Sequence, residues 1–154
     1  MKNINFLGLN AEYWLFLLSF FVCLAVLLFS NFSTSYLIGD ESYLHLRLMG
    51  DTGYDDLSYG GREISYPVGF GFLIGLLSPL LGGVFAVKLL HFIFGMFTFV
   101  LFFFILRKLG FMREDRLYAL FFLILSPAFI YLFSFSGSFS VAVFLTLLSF
   151  LLLL

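Results

Sequence analysis

The chain has 154 residues, 62% of them hydrophobic and 11% charged, with 25 Phe and 8 Tyr. Soluble domains carry about 25% charged and about 45–50% apolar residues, so an ordinary soluble fold is excluded. Nucleic-acid binding is unsupported, because the eight Lys and Arg are scattered or loop-bound and form no basic stripe.

The charges are confined to a few places. None lies between Glu12 and Asp40, only Lys88 lies between Glu63 and Arg107, and none follows Arg116. A helix needs roughly 20 apolar residues to cross a bilayer. The pattern predicts an all-α, multi-pass transmembrane protein, one membrane domain over residues 1–154, with about four spans.

The first span is expected from about Tyr13 to Tyr36, with Trp14 as an interfacial aromatic. A cleaved signal peptide is the competing reading. The apolar stretch exceeds a usual signal core, Lys2 is the only basic residue before it, and no A-x-A site follows, so an uncleaved anchor is expected. The lone Cys23 within it permits no internal disulfide and reads as a small hydrophobe. Asn31-Phe-Ser33 is a formal glycosylation sequon at the edge of a span and is discounted.

An acidic loop follows over residues 39–66, with Asp40, Glu41, Asp51, Asp55, Asp56 and Glu63 against Arg47 and Arg62. Asp40 or Ser42 is placed to cap a helix, which sets Glu41 one turn from His45 and Tyr43 one turn from Arg47. Tyr54–Pro67, with Gly60-Gly61 inside it, reads as irregular loop. Carboxylates gathered at a membrane surface suit a hard cation such as Mg²⁺ or Mn²⁺, with Asp40, Glu41, Asp55 and Asp56 as the ligands. The plainer alternatives are a helix cap at Asp40, a solvated loop, and a packing role for His45.

Residues 67–106 allow two readings. They hold two short spans broken at Ser78-Pro79 and Gly82-Gly83, or an interfacial or re-entrant piece followed by one span from about Val84 to Leu106. Lys88 would snorkel near that span's end, and His91 would hydrogen-bond between helices. Gly71 and Gly75 suit close helix packing rather than a dinucleotide fingerprint. A basic loop, residues 107–116, contains Arg107, Lys108, Arg113 and Arg116 and is the best cytoplasmic candidate. Two more apolar runs follow, to Ser136 and then to Leu154. Because the last run has no polar flank, the chain is expected to be the N-terminal portion of a longer protein.

Asp40-Glu41 directly after the first span, Tyr43-x-His45-x-Arg47, Asp55, Tyr59-Gly-Gly-Arg62 and Tyr66-Pro67 together resemble the first external loop of GT-C membrane glycosyltransferases. The flavour is that of archaeal oligosaccharyltransferase catalytic subunits. Protein O-mannosyltransferases are similar in their Asp-Glu pair and Pro-led interfacial segment. Ser126-Pro127 and the Ser-rich 135–140 segment are reminiscent of mannosyltransferase spans.

The resemblance implies an internal N-terminus, an external acidic loop, a non-crossing 67–83 segment, and transfer from a polyprenyl-phosphate-linked sugar donor. In its terms Asp40 or Glu41 would be catalytic or metal-binding, and His45, Arg47, Arg62 and Lys88 would contact the donor. The relatives have many more spans, so this portion alone would be inactive. A non-catalytic membrane assembly subunit and a transporter fragment are the other classes.

Overall fold

The computed structural model describes residues 11–37, 40–47, 54–55, 62–63, 69–135 and 137–154. Nearly all of these are helical, in the order α1 (Ala11–Phe32), α2 (Asp40–Arg47), α3 (Gly69–Leu81), α4 (Gly83–Lys108), α5 (Arg113–Leu125), α6 (Pro127–Phe135) and α7 (Gly137–Leu153). A two-residue antiparallel ladder, β1 (Tyr54–Asp55) with β2 (Arg62–Glu63), lies in the acidic loop. Sequence reading gave that stretch as irregular throughout.

Among the described residues, two helices are long and apolar enough to cross a membrane, Tyr13–Phe32 and Gly83–Lys108. The count is three when α5 and α6, bent by 54° at their junction, are taken as one broken span. The bend falls at Ser126-Pro127, where proline supplies no N–H to continue the ladder. The α6 ladder then restarts from the Ser126 carbonyl, which accepts from Ile130 N–H at 3.1 Å. Helix α7 has 17 residues. It nevertheless runs back to the end where α4 finishes, since Lys108 Nζ donates to the Leu151 carbonyl at 3.2 Å.

Ring contacts set the helix directions. Phe16 meets Phe103 at 4.3 Å between centroids, and Phe32 meets Phe85 at 5.5 Å, so α1 and α4 are antiparallel. The chain between them therefore leaves and re-enters at one end of the bundle, and α3 does not cross it. Phe70 at the start of α3 stacks on His91, two turns into α4, so α3 folds back along the first part of α4. At 13 residues, or about 20 Å, it is short for a span.

Proline 79 lies inside α3 and leaves it unbroken. Its missing N–H would have bonded the Gly75 carbonyl. The Ser78 hydroxyl donates to that same oxygen at 3.4 Å, and the ladder resumes with Gly82 N–H on the Ser78 carbonyl at 2.8 Å. Of the two breaks the sequence suggested, only the second is real. It falls at Gly82, whose φ of 78° favours glycine.

The main core joins Cys23 and Leu27 of α1, Met96, Phe99 and Phe103 of α4, Leu120 and Ile124 of α5, and Phe129 and Phe133 of α6. Cys23 is fully buried there, as its reading as a small hydrophobe required. Lipid gives no hydrophobic drive to helix association, so close packing and polar contacts between helices matter most. Gly95 provides the first: a Cβ there would lie 2.8 Å from Leu27 Cδ1 and 3.0 Å from Phe133 Cβ. Asn31 provides the second. Its Nδ2 donates to the carbonyls of Leu27 and Phe133, both at 3.0 Å. Buried so, it is no glycosylation acceptor in the folded chain. Ser134 adds a hydroxyl bond to Ser30 at 2.8 Å.

Candidate functional site

A second cluster caps the end of the bundle where α1 finishes and α4 begins. Leu37, Phe70, Ile74, Ala86, Val87 and Leu90 pack there, joining α3 to the first turns of α4. Helix α2 forms where a helix was expected, but with Asp40 as its first helical residue rather than the residue before it, and it lies across this end. Ser42 is buried one turn inside, where its hydroxyl donates to the Phe135 carbonyl at 3.3 Å. That bond ties α2 to the end of α6 and assigns Ser42 to docking rather than capping.

One turn after Ser42, the side of α2 that faces inward carries His45, buried with 1% exposure. Its ring stands edge-on to Phe70 at 5.3 Å, and the other face of Phe70 stacks on His91 at 5.3 Å and 13°. One aromatic column thus joins α2, α3 and α4. Tyr43 and Arg47, one turn apart as expected, occupy the exposed side of α2. His45 and Arg47 are therefore parted: one packs inside, the other meets the surroundings.

Lys88 lies on α4 one turn before His91 and is 7% exposed. In place of snorkelling outward, its ammonium donates to the Thr34 carbonyl and lies 3.5 Å from the Thr34 hydroxyl. Both acceptors belong to Ser33–Tyr36, the bend that ends α1 four residues before the apolar run itself ends. No carboxylate neutralises Lys88 among the described residues. A buried ammonium is costly in a medium of low dielectric unless it is hydrogen-bonded and balanced by an anion.

Beside Lys88 opens a pocket of about 520 Å³, lined by Phe32, Thr34, Ser35, the Leu81–Phe85 turn and Lys88 itself. This volume falls within the range of small-molecule sites. The Gly82-Gly83 turn forms one wall because α3 and α4 meet there with a single residue between them. The first α4 bond is Ala86 N–H to the Gly82 carbonyl at 3.0 Å, with no side chain capping the helix. The amides of Gly83, Val84 and Phe85 therefore lack intrahelical acceptors. The Thr34 hydroxyl donates to the Tyr36 carbonyl at 3.0 Å, but the Ser35 hydroxyl, the ammonium and the helix-start amides line one opening, a donor set that suits an anionic oxygen group.

The other expected site residues divide by location. Asp40 and Glu41 form the first turn of α2, and Asp55 and Arg62 are paired positions of the β1–β2 ladder. The side chains of these four residues, and Asp56 altogether, lie outside the described residues, and the metal-ligand set they were expected to form lies there too. Among the described residues, no three His, Cys, Asp or Glu are grouped so as to hold a metal.

Thr34, Ser35 and the Gly82-Gly83 wall were missed as site residues. Gly-Gly between two apolar runs marks a turn, but nothing local says that the turn folds beside the end of α1. Comparison with protein-family models, with characterised proteins and with solved structures finds no match.

Proposed function

We propose that the chain is the membrane portion of a multi-pass integral membrane glycosyltransferase. It transfers a sugar or glycan from a polyprenyl-phosphate-linked donor to an acceptor at the external face, in the plasma membrane of a prokaryote. The observation that carries this reading is the Lys88 pocket. A buried ammonium with no carboxylate partner among the described residues lines an opening at the bundle end from which the Asp40-Glu41 helix emerges.

A lipid-linked donor keeps its chain in the bilayer and its phosphate at the boundary with water. Lys88 lies five residues into α4, about 7.5 Å below the helix start, at a depth suited to such a phosphate. Lysine holds phosphate as a point charge, and its three donors permit the Thr34 bond and the phosphate together. An acidic residue at the start of α2 takes the proton from the acceptor hydroxyl, or with a divalent cation offsets the phosphate charge. Asp40 is the first candidate for that role and Glu41 the second. Arg62 is a second candidate for the phosphate. The basic residues at the opposite end support an internal placing of that end.

The test is transfer of labelled sugar from polyprenyl-phosphate and polyprenyl-diphosphate donors by the full-length protein in proteoliposomes. Asp40→Asn keeps the size and capping ability of the side chain but removes the base, and should lower the rate about 10²–10⁴-fold. A lost cap alone would cost only about 1 kcal/mol of stability. Glu41→Gln made in parallel decides between the two neighbours. Near-normal transfer by both variants would return this turn to helix capping and favour a non-catalytic assembly subunit.

A further inference from the structure

The opposite end of the bundle carries a feature that glycosyl transfer does not use. Helix α4 ends in a Schellman turn: Phe111 N–H donates to the Leu106 carbonyl and Gly110 N–H to the Arg107 carbonyl, both at 3.2 Å, with Gly110 at φ 78°. Arg116 closes the turn from α5 by donating to the Phe111 carbonyl at 2.6 Å. The tip so fixed exposes three apolar side chains in a row around the glycine, Leu109, Phe111 and Met112.

Four cations surround this tip, and they are not equivalent. Lys108 is committed to the end of α7 and Arg116 to the turn itself. Arg107 and Arg113, on either side of the tip, make no hydrogen bond or ion pair among the described residues, although Glu114 and Asp115 are adjacent in sequence. Two guanidinium groups are thus left beside an apolar point at the end of the helices.

We infer that the α4–α5 turn is a docking site for an anionic phospholipid headgroup, held by Arg107 and Arg113 with Leu109, Phe111 and Met112 in the acyl region beneath it. Charge complementarity selects the occupant. Guanidinium pairs bidentately with phosphate oxygens, and basic groups at a membrane end attract anionic lipid. The apolar tip distinguishes lipid from a free phosphate ion, because only lipid brings hydrocarbon to Phe111 and Met112.

The full chain carrying Trp14→Phe and Phe111→Trp is reconstituted in vesicles of phosphatidylglycerol and phosphatidylcholine, with bromine on the acyl chains of one lipid or the other. Quenching of the introduced tryptophan should report enrichment of the anionic lipid, about fivefold per arginine from the usual strength of a basic residue near a charged surface. Arg107→Gln with Arg113→Gln should remove the enrichment, and the two Arg→Lys changes should retain part of it. Lys108→Gln should lower it less than either arginine change, since that ammonium already donates to the Leu151 carbonyl.

Equal quenching by the two brominated lipids overturns the inference. So does loss of the preference on adding inorganic phosphate at constant ionic strength, which would mean a free-anion site. A drop with Lys108→Gln as large as with the arginine pair would mean a general charge effect, and no site.

Discussion

Gly95 shows most directly how this bundle is held together. It lies in mid-span on α4, where α1 and α6 both close on it, and its missing side chain is what lets Leu27 and Phe133 approach. Leu27 Cδ1 is the far end of a flexible side chain and can move. Phe133 Cβ is fixed to its backbone and cannot. Gly95→Ala is therefore expected to destabilise the folded bundle by about 1–3 kcal/mol through overpacking, read as a lower midpoint of unfolding in detergent. Gly69→Ala, with open space around its Cβ, is the comparison and should not show the loss. Single residues were unevenly legible in the sequence. Lys88 stood out as the one charge in a long apolar stretch, yet its Thr34 partner, 54 residues away, left no local signal. His45 fell within a motif of polar residues, and only the packing of α3 against α4 shows that it faces Phe70. Gly95 carried no mark beyond being a glycine among phenylalanines.

Between elements, the directions of α1 and α4 decide what the chain connecting them does. Both α1's end and α4's start lie at the acidic end, so α3 begins and finishes at the same side. Cysteines placed one at a time at Ser35 and Leu80 should thus be labelled by an impermeant thiol reagent from one face of the membrane, and a cysteine at Asp115 from the other. All three positions are exposed, while native Cys23 is fully buried and does not compete. Labelling of Ser35→Cys and Leu80→Cys from opposite faces would mean that α3 crosses. Charge counting alone left this undecided, because either topology keeps the basic turn inside. Helix existence was legible from apolar length, and the helix ends less so. Helix α1 stops at Phe32, before the polar 33–36 bend in which Thr34 accepts from Lys88, and the apolar run that ends at Ser136 breaks into α5 and α6 because Ser126-Pro127 interrupts the ladder. Helix α3 continues through Pro79, with the Ser78 hydroxyl 3.4 Å from the Gly75 carbonyl that proline leaves open, which a rule treating proline as a breaker does not foresee.

For the molecule as a whole, the two ends are chemically unlike. One carries Asp40-Glu41, the aromatic column and the Lys88 pocket; the other carries Arg107, Lys108, Arg113 and Arg116 around an apolar tip. The all-helical class and this polarity were readable from the spacing of charged residues alone. The pocket was not, because it is assembled from three chain segments whose meeting depends on the fold-back of α3. The role proposed for this pocket is to take the phosphate of a lipid-linked donor. It is tested by measuring binding of short-chain polyprenyl phosphate and of the matching uncharged polyprenol to the wild-type chain and to Lys88→Met in nanodiscs. Methionine keeps the length and apolar stem of lysine, so the helix should stay packed. A charge-assisted bond contributes about 1.5–3 kcal/mol, so Lys88→Met is expected to weaken polyprenyl phosphate binding about 10–100-fold and to leave the weak polyprenol binding unchanged. Equal binding of the two lipids by the wild-type chain, or undiminished phosphate binding by Lys88→Met, would contradict it.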